Sequence, residues 1–183
     1  MVSGDGGGFF RSKTGFLACV ADGLGHGLLA HRASSQALTI VSEHSALSIP
    51  EILTKCDQGL TDTRGAVMSL VRFDRSSQRV ECGAVGDVST HLYYLKEAKH
   101  FPAVPHTLGG TRQQTWEPRV MTEAVKPGAV LVSFTDGLKT GTTLSERMDL
   151  FRQPAIVVAQ TLLEEFGRTN DDVLIFVARF SRH

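Results

Sequence analysis

The 183-residue chain predicts an α+β layer protein, and three features of its patterning carry that prediction. Two helical periods follow one strand with nothing extended between them. Three apolar segments separated by turn residues then read as an antiparallel meander, and a helix and a strand close the chain. A doubly wound fold would alternate these elements instead.

Taken in order, Met1 to Gly8 is almost all small residues, which alone would form a flexible tail. Phe16 to Val20 is an apolar run that reads as a buried strand. It ends in Ala21-Asp22-Gly23-Leu24-Gly25-His26-Gly27, where glycines let the backbone turn tightly. From Leu28 to about Glu43, Leu28, Leu29, Ala33, Ala37, Ile40, Val41 and His44 recur at intervals of three and four, the pattern of an amphipathic helix. Ser48-Ile49-Pro50-Glu51 is a capping box with proline in the first turn, and it starts a second helix through Ile52, Leu53, Cys56 and Leu60. At Arg64 the period changes. Ala66 to Val71 reads as a buried strand, Asp74 to Ser77 as a turn and Val80 to Val85 as the return; after a break at Gly86-Asp87, His91 to Leu95 resumes the meander.

Lys96 to Glu117 reads as loop because of Pro102, Pro105, Gly109 and Gly110, with one more strand offered by Trp116 to Met121. Lys126-Pro127-Gly128 is a turn, Val130 to Thr135 a buried strand, and Thr140 to Arg147 a surface loop. Pro154 to Phe166 carries Ile156, Val157, Ala159, Leu162 and Leu163 on a helix begun by proline and ended by Gly167. Val173 to Phe180 is the last strand. No repeat, linker or internal boundary interrupts the chain, so residues 1–183 are read as a single domain.

Lys plus Arg and Asp plus Glu each number 19 and the pI is about 7.1, so no chain-wide field favours nucleic acid or an anionic membrane. A protein or a small molecule is the expected partner. Cys19, Cys56 and Cys82 lack metal-site spacing, and Cys19 and Cys82 lie inside apolar runs, which favours reduced core thiols and a cytoplasmic location. No stretch approaches the roughly 18 apolar residues of a membrane span. A soluble monomer is expected.

Asp5, Asp22, Asp136 and Asp171 each stand where an apolar run begins or ends, so one edge of a packed sheet could gather them. Oxygen ligands of this kind suit hard divalent ions, Mg²⁺ or Mn²⁺. Each aspartate-glycine pair alone is an ordinary turn signal. In sequence, however, Ser3-Gly4-Asp5, Ala21-Asp22-Gly23-Leu24-Gly25-His26-Gly27, Thr135-Asp136-Gly137-Leu138 and Asp171-Asp172 resemble the metal-dependent PPM (PP2C-like) serine/threonine phosphatases. The nearest likeness is to the small bacterial, RsbX-type branch that acts on stressosomes. Lys55-Cys56-Asp57-Gln58-Gly59-Leu60 and Thr63-Arg64-Gly65-Ala66 extend it over nearly the whole chain.

The resemblance implies a four-layer αββα sandwich, two antiparallel sheets packed face to face with helices outside. It places Asp5 at a metal site with Phe9-Phe10 on the strand that follows, and the family carries a further strand upstream of Asp5. It also implies two Mn²⁺ or Mg²⁺ ions that activate water for phosphoester hydrolysis. Asp22 would bridge the ions with help from the Gly23 carbonyl, Asp136 and Asp171 would hold the second ion, and Asp5 would act mostly through bound water. Gly86-Asp87 matches a pair that holds a third ion in some members, and reads equally well as a plain bulge. The implied substrates are phosphorylated stressosome proteins, the RsbR-like and RsbS-like STAS domains. Other readings are a partner-switching phosphatase acting on a phosphorylated anti-sigma-factor antagonist, and a binding module that has kept the fold without catalysis. A two-metal nuclease lacks the basic footprint it would need.

His26 falls two residues beyond the position of the histidine in eukaryotic-type members, so packing at the helix start is its expected role. The phosphate-binding arginine of the larger members would precede Asp5 and has no counterpart, which leaves Arg64 and Arg112 as candidates. His31, His44, His91, His100, His106 and His183 show no ligand spacing. The stretch Lys96 to Gln114 is the candidate for choosing a partner, since binding residues gather on loops held by a rigid scaffold.

Overall fold

The computed structural model describes residues 2–94, 97–110, 116–139, 147 and 149–181. Among them, one antiparallel sheet has the order β1-β2-β3-β4-β7, built from β1 (Asp5–Arg11), β2 (Gly15–Gly23), β3 (Ala66–Asp74), β4 (Arg79–Val85) and β7 (Met121–Ala124). The other has the order β6-β5-β8-β9, from β5 (Ser89–Tyr93), β6 (Ala98–Phe101), β8 (Val130–Phe134) and β9 (Ile175–Arg179). Helices α1 (Leu28–Glu43) and α2 (Ile49–Gly59) follow β2, and α3 (Ala155–Phe166) precedes β9.

Period-two alternation gives each sheet two faces, and the cores show what each face meets. Val71, Val80, Cys82 and Ala84 of the first sheet pack with Leu92, Phe101 and Leu131 of the second, so the sheets lie face to face. Outside the first sheet, Cys19, Met68 and Leu70 meet Ala37 and Val41 of α1 and Ile52, Leu53 and Cys56 of α2. Outside the second, Val130, Val132 and Phe134 meet Val158 and Leu162 of α3. The four-layer αββα sandwich is therefore present, and the three cysteines are free and buried within it. No helix among the described residues is long and apolar enough to cross a membrane.

Local signals set most of the boundaries. In the capping box of α2 the Glu51 carboxylate accepts from the Ser48 backbone N–H at 2.9 Å and from its hydroxyl at 2.6 Å, a device that stabilises a helix start by about 1 kcal/mol. The glycine-rich start is not a tail. Asp5 to Arg11 pair with Phe16 to Asp22 over seven residues, and Gly6 and Gly8 leave room for Leu38 of α1 and for the Phe10 ring.

Five expectations change in the structure. The three strands from β3 to β5 are not one meander: β3 and β4 form a hairpin in the first sheet, and β5 belongs to the second. Gly86-Asp87, at φ +82° for Gly86, is the turn where the chain crosses between sheets rather than a bulge. The strand offered at Trp116 to Met121 lies instead at Met121–Ala124, where it pairs with Arg79 to Cys82. On the helices, Leu28, Leu29, Ile156 and Leu163 are exposed; the apolar face of α3 is wider than its packed stripe, which Val158 and Leu162, four residues apart, supply.

The fifth change concerns Lys96 to Gln114, which is no detachable loop. Ala98–Phe101 is the edge strand β6, Val104 bridges to Val85, and Leu108 exchanges backbone hydrogen bonds with Ala66 at 3.0 and 2.9 Å. Leu108 is fully buried in the core under α2, so a glycine-serine replacement of the whole stretch would remove core. Leu95, Lys96, residues 111–115, which include Arg112, most of the Thr140 to Arg147 loop, and His183 lie outside the described residues.

Between the sheets, one polar chain interrupts the apolar packing. The Ser69 hydroxyl of β3 meets the Thr90 hydroxyl of β5 at 2.7 Å, and Thr90 meets the Ser133 hydroxyl of β8 at 2.9 Å. All three are buried, and no buried side-chain polar atom among the described residues lacks a partner. Thr90→Val keeps the shape but takes the Thr90 partner from the Ser133 hydroxyl and leaves the Ser69 hydroxyl only its weak contact with Cys82 Sγ at 3.5 Å. It is expected to lower the unfolding free energy by about 1–3 kcal/mol, read as a lower urea midpoint at unchanged slope.

Candidate functional site

Antiparallel pairing sets Asp5, at the start of β1, directly opposite Asp22, near the end of β2. Like charges across a strand pair repel, so register alone creates a point of concentrated negative charge. The second sheet adds to it from across the sandwich. Asp136 follows β8, Asp171 and Asp172 precede β9, and Asp87 stands on the turn between sheets. All six carboxylates line one cleft of about 920 Å³.

Thr135 brings the two halves into contact. Its hydroxyl donates to Asp5 Oδ2 at 2.6 Å and accepts from the Leu174 N–H at 3.0 Å, while its own N–H donates to the Leu174 carbonyl at 3.1 Å. On the other side of Asp5, the Gly4 N–H donates to Asp172 Oδ2 at 2.6 Å. The Gly23 N–H also donates to the Gly4 carbonyl, at 3.2 Å.

The glycines after Asp22 and Asp136 serve a purpose other than turning. Neither Gly23 nor Gly137 has positive φ. A Cβ on Gly23 would run into the Ala30 carbonyl of α1, and one on Gly137 into the Asp172 carbonyl. Both are close-approach positions: the first lets α1 lie over the end of β2, and the second lets the Asp136 turn press against the Asp171-Asp172 segment. The tight turning falls to Gly25 and Gly27, at φ +91° and +72°.

The electrostatics follow from this crowding. Burial, reinforced by the charges of Asp5, Asp136 and Asp87, pushes the Asp22 carboxyl up to about 8. Burial also raises Asp5, helped by Asp172 and Asp136, against the lowering hydrogen bond from Thr135. Asp136 is raised by its partial burial in the cleft and by Asp87 and Asp171, with Arg168 opposing. Clustered carboxylates that resist ionisation fit a divalent cation, which would reverse each of these shifts. Among the described residues no three His, Cys, Asp or Glu side chains converge tightly enough to grip an ion unaided. A donor set of carboxylates spread around an open cleft, with the rest of the shell left to water and backbone carbonyl, matches how Mg²⁺ is bound.

The sequence-predicted residues Asp5, Asp22, Asp136 and Asp171 thus share one cleft, beside Gly23 at the end of β2. Asp87, left open between bulge and site, lies on the cleft wall. Asp172 was not singled out, although its neighbour was; its backbone contact with Gly4 makes it the tie between the two ends of the chain. His26 is exposed in the turn before α1 rather than packed, and it does not line the cleft. The histidine that holds the helix start is His31, whose Nδ1 lies 3.0 Å from the Ser3 carbonyl.

Sequence reading also missed the latch on the far wall. Asp57 of α2 accepts from the Trp116 indole N–H and the Gly109 N–H, both at 2.9 Å, and its Oδ1 lies 3.2 Å from His106 Nε2. The His106 and Trp116 rings stack at 4.5 Å. Burial opposes ionisation of Asp57, but the three hydrogen bonds outweigh it and hold the carboxyl below its ordinary value. Pro105 to Gly110, part of which lines the cleft, is thereby fastened to α2. Asp57 stood in a quoted motif, yet its partners are 49 to 59 residues away, so no local pattern pointed to them.

Comparison with known proteins agrees with this architecture. The profile described as Stage II sporulation protein E (SpoIIE) matches residues 12–181. Phosphoserine phosphatase RsbX of Bacillus subtilis (strain 168) is 26% identical over 132 residues, 71% of this chain and 65% of RsbX, so the match spans less than two thirds of that relative. Among solved structures, a chain from work on the bacterial stressosome, "a modular system that has been adapted to control secondary messenger signaling", superposes with a TM-score of 0.88 at 26% identity, covering 98% of this chain and 92% of that one. RsbX in complex with magnesium superposes with a TM-score of 0.82 at 20% identity, covering 97% and 86%. With the SpoIIE profile covering nearly its whole length, and with the fold of those structures, the chain belongs to the SpoIIE family of PP2C-like proteins.

Proposed function

We propose that this chain is a metal-dependent protein serine/threonine phosphatase that removes phosphate from stressosome proteins, the RsbR-like and RsbS-like STAS domains, and so resets a stress signal. The observation that carries the reading is the convergence of Asp5, Asp22, Asp136 and Asp171 from two sheets on one cleft. Support comes from the phosphoserine phosphatase RsbX, from the stressosome chain that shares the fold, and from the magnesium complex of RsbX.

Two Mn²⁺ or Mg²⁺ ions, with Asp87 placed to help hold a third, would supply an activated water and relieve charge on the phosphoryl oxygens. By the family resemblance Asp22 would bridge; it pairs with Asp5 across the strands and feels the charge of Asp136 as well. The Gly23 carbonyl would share one ion, Asp136 and Asp171 would hold the other, and Asp5 would act through water. Asp5 is kept in place for this by the Thr135 hydroxyl, and Thr135 is itself buried and fixed by Leu174. Asp22 and Asp136 are the catalytic pair in this reading, and the open cleft admits a phosphorylated side chain from a folded partner.

Chelation should abolish turnover of an aryl phosphate and of a phosphorylated STAS domain, with recovery on adding Mn²⁺ or Mg²⁺. Asp22→Asn should lower turnover by at least about a hundredfold and weaken the metal-induced rise in melting temperature, because the shared ligand is lost. Full activity of Asp22→Asn in chelator would overturn the reading. A phosphorylated anti-sigma-factor antagonist that loses phosphate while STAS scaffolds keep theirs would redirect the substrate assignment.

His26 gives a contrasting expectation. Because its side chain is exposed and off the cleft, His26→Ala should keep phosphoprotein turnover within about tenfold, well short of the 10²–10⁴ typical of a lost general acid. A thousandfold loss in the folded variant would place His26 in the chemistry.

A further inference from the structure

Carboxylates and metal ions leave one task of the proposed reaction unassigned: orienting the phosphate ester before attack. We propose that Arg64 binds the substrate's phosphoryl oxygens, so that the cleft takes a phosphate monoester dianion through this guanidinium. The proposal rests on the phosphatase reading of the same cleft.

Arg64 is the only lysine or arginine lining the cleft among the described residues. Six carboxylates share that cleft, yet among the described residues Arg64 makes no ion pair, whereas Arg168 lies 4.0 Å from Asp171. A guanidinium beside so much negative charge and still uncommitted is available to a ligand. Its planar fork of donors matches the spacing of phosphate oxygens better than an ammonium does.

The backbone around it is built to hold it there. The Thr63 hydroxyl donates to the Leu60 carbonyl at 2.7 Å and accepts from the Gly65 N–H at 2.9 Å, fixing the chain on both sides of Arg64. The Leu24 N–H donates to the Gly65 carbonyl at 3.0 Å, joining this loop to the turn that follows Asp22 and Gly23. Gly25 faces the guanidinium: a Cβ there would sit 2.7 Å from Arg64 Nη1, so the missing side chain is what lets the arginine lie across the turn. Gly25 and Arg64 both line the cleft with Asp22. The guanidinium is thus positioned by a short loop, and the exposed side chain is not buried against the protein before substrate arrives.

The competing role is mechanical, Arg64 bracing the Gly25 turn and through it Asp22. The test compares wild-type protein, Arg64→Ala and Arg64→Lys, all loaded with Mg²⁺. It reads inorganic phosphate binding by calorimetry, turnover of p-nitrophenyl phosphate, Mg²⁺ affinity and melting temperature. Arg64→Ala should weaken phosphate binding and raise KM by on the order of 10- to 100-fold, the range for losing charge-assisted hydrogen bonds, with kcat, Mg²⁺ affinity and melting temperature much less affected. Arg64→Lys should recover part of the binding, since it keeps the charge without the fork. Unchanged phosphate binding in Arg64→Ala overturns the proposal, as does a wild-type protein that binds no phosphate. An equal loss of Mg²⁺ affinity also overturns it and assigns the residue to bracing. Wild-type protein that binds phosphate but hydrolyses nothing sinks the phosphatase reading alone, because the binding comparison still decides Arg64.

Discussion

The Thr135 hydroxyl is the junction on which the site depends. It donates across the sandwich to Asp5 on β1 and accepts from the backbone that leads into β9, so a single buried side chain ties the edge of one sheet to the other. Without it the two sheets would still pack, because their cores hold that contact. The carboxylates would then be held in register across the sandwich mainly by the Gly4–Asp172 hydrogen bond. Apolar burial sets the distance between layers to within a side chain, whereas directional hydrogen bonds fix which atoms meet. Here the first makes the sandwich and the second makes the cleft.

The cleft also shows how a protein places repelling charges together. Asp5 faces Asp22 because strand register forces it, and Asp136 approaches Asp171 and Asp172 because Gly137 leaves no side chain between the backbones. The cores formed with the three helices supply the free energy that offsets this repulsion. The Asp57 latch adds rigidity on the opposite wall, carrying the hold of α2 out to the Pro105 to Gly110 rim. Charge stored in a stiff frame of this kind is a preorganised receptor for cations.

How far the sequence reveals this depends on the range of each interaction. The span of α1, the capping box of α2 and the β3–β4 hairpin were legible because periodicity and turn residues act over a few positions. Asp22 and Asp136 were visible for the same reason, as aspartates closing apolar runs. The crossing at Gly86-Asp87 was not, since a turn within a sheet and a turn between sheets share the same residues. Nor was the anchoring of Leu108 to Ala66, because prolines and glycines nearby signal irregular backbone without saying what it docks against. The exposed Leu28 and Leu29 misled in the other direction: they fit the helical period, but the period alone does not say where the sheet ends beneath the helix. Around the cleft, the roles missed, those of Asp172, Thr135 and the Asp57 network, belong to residues whose partners lie far along the chain.

That distance has a consequence for how the protein is made. Gly4 bonds Asp172 across 168 positions, and Thr135 reaches Asp5 across 130. During synthesis the first sheet can begin to assemble from its N-terminal hairpin. Asp5, however, emerges from the ribosome long before Thr135 and Asp172 exist. An unfinished chain therefore carries part of the carboxylate cluster and none of its closure, and contacts of such separation are the slow ones to form. In a nascent protein the cleft is completed only when the segment that leads into its last strand has been translated, so a chain that stops before Asp171 holds only part of the carboxylate cluster.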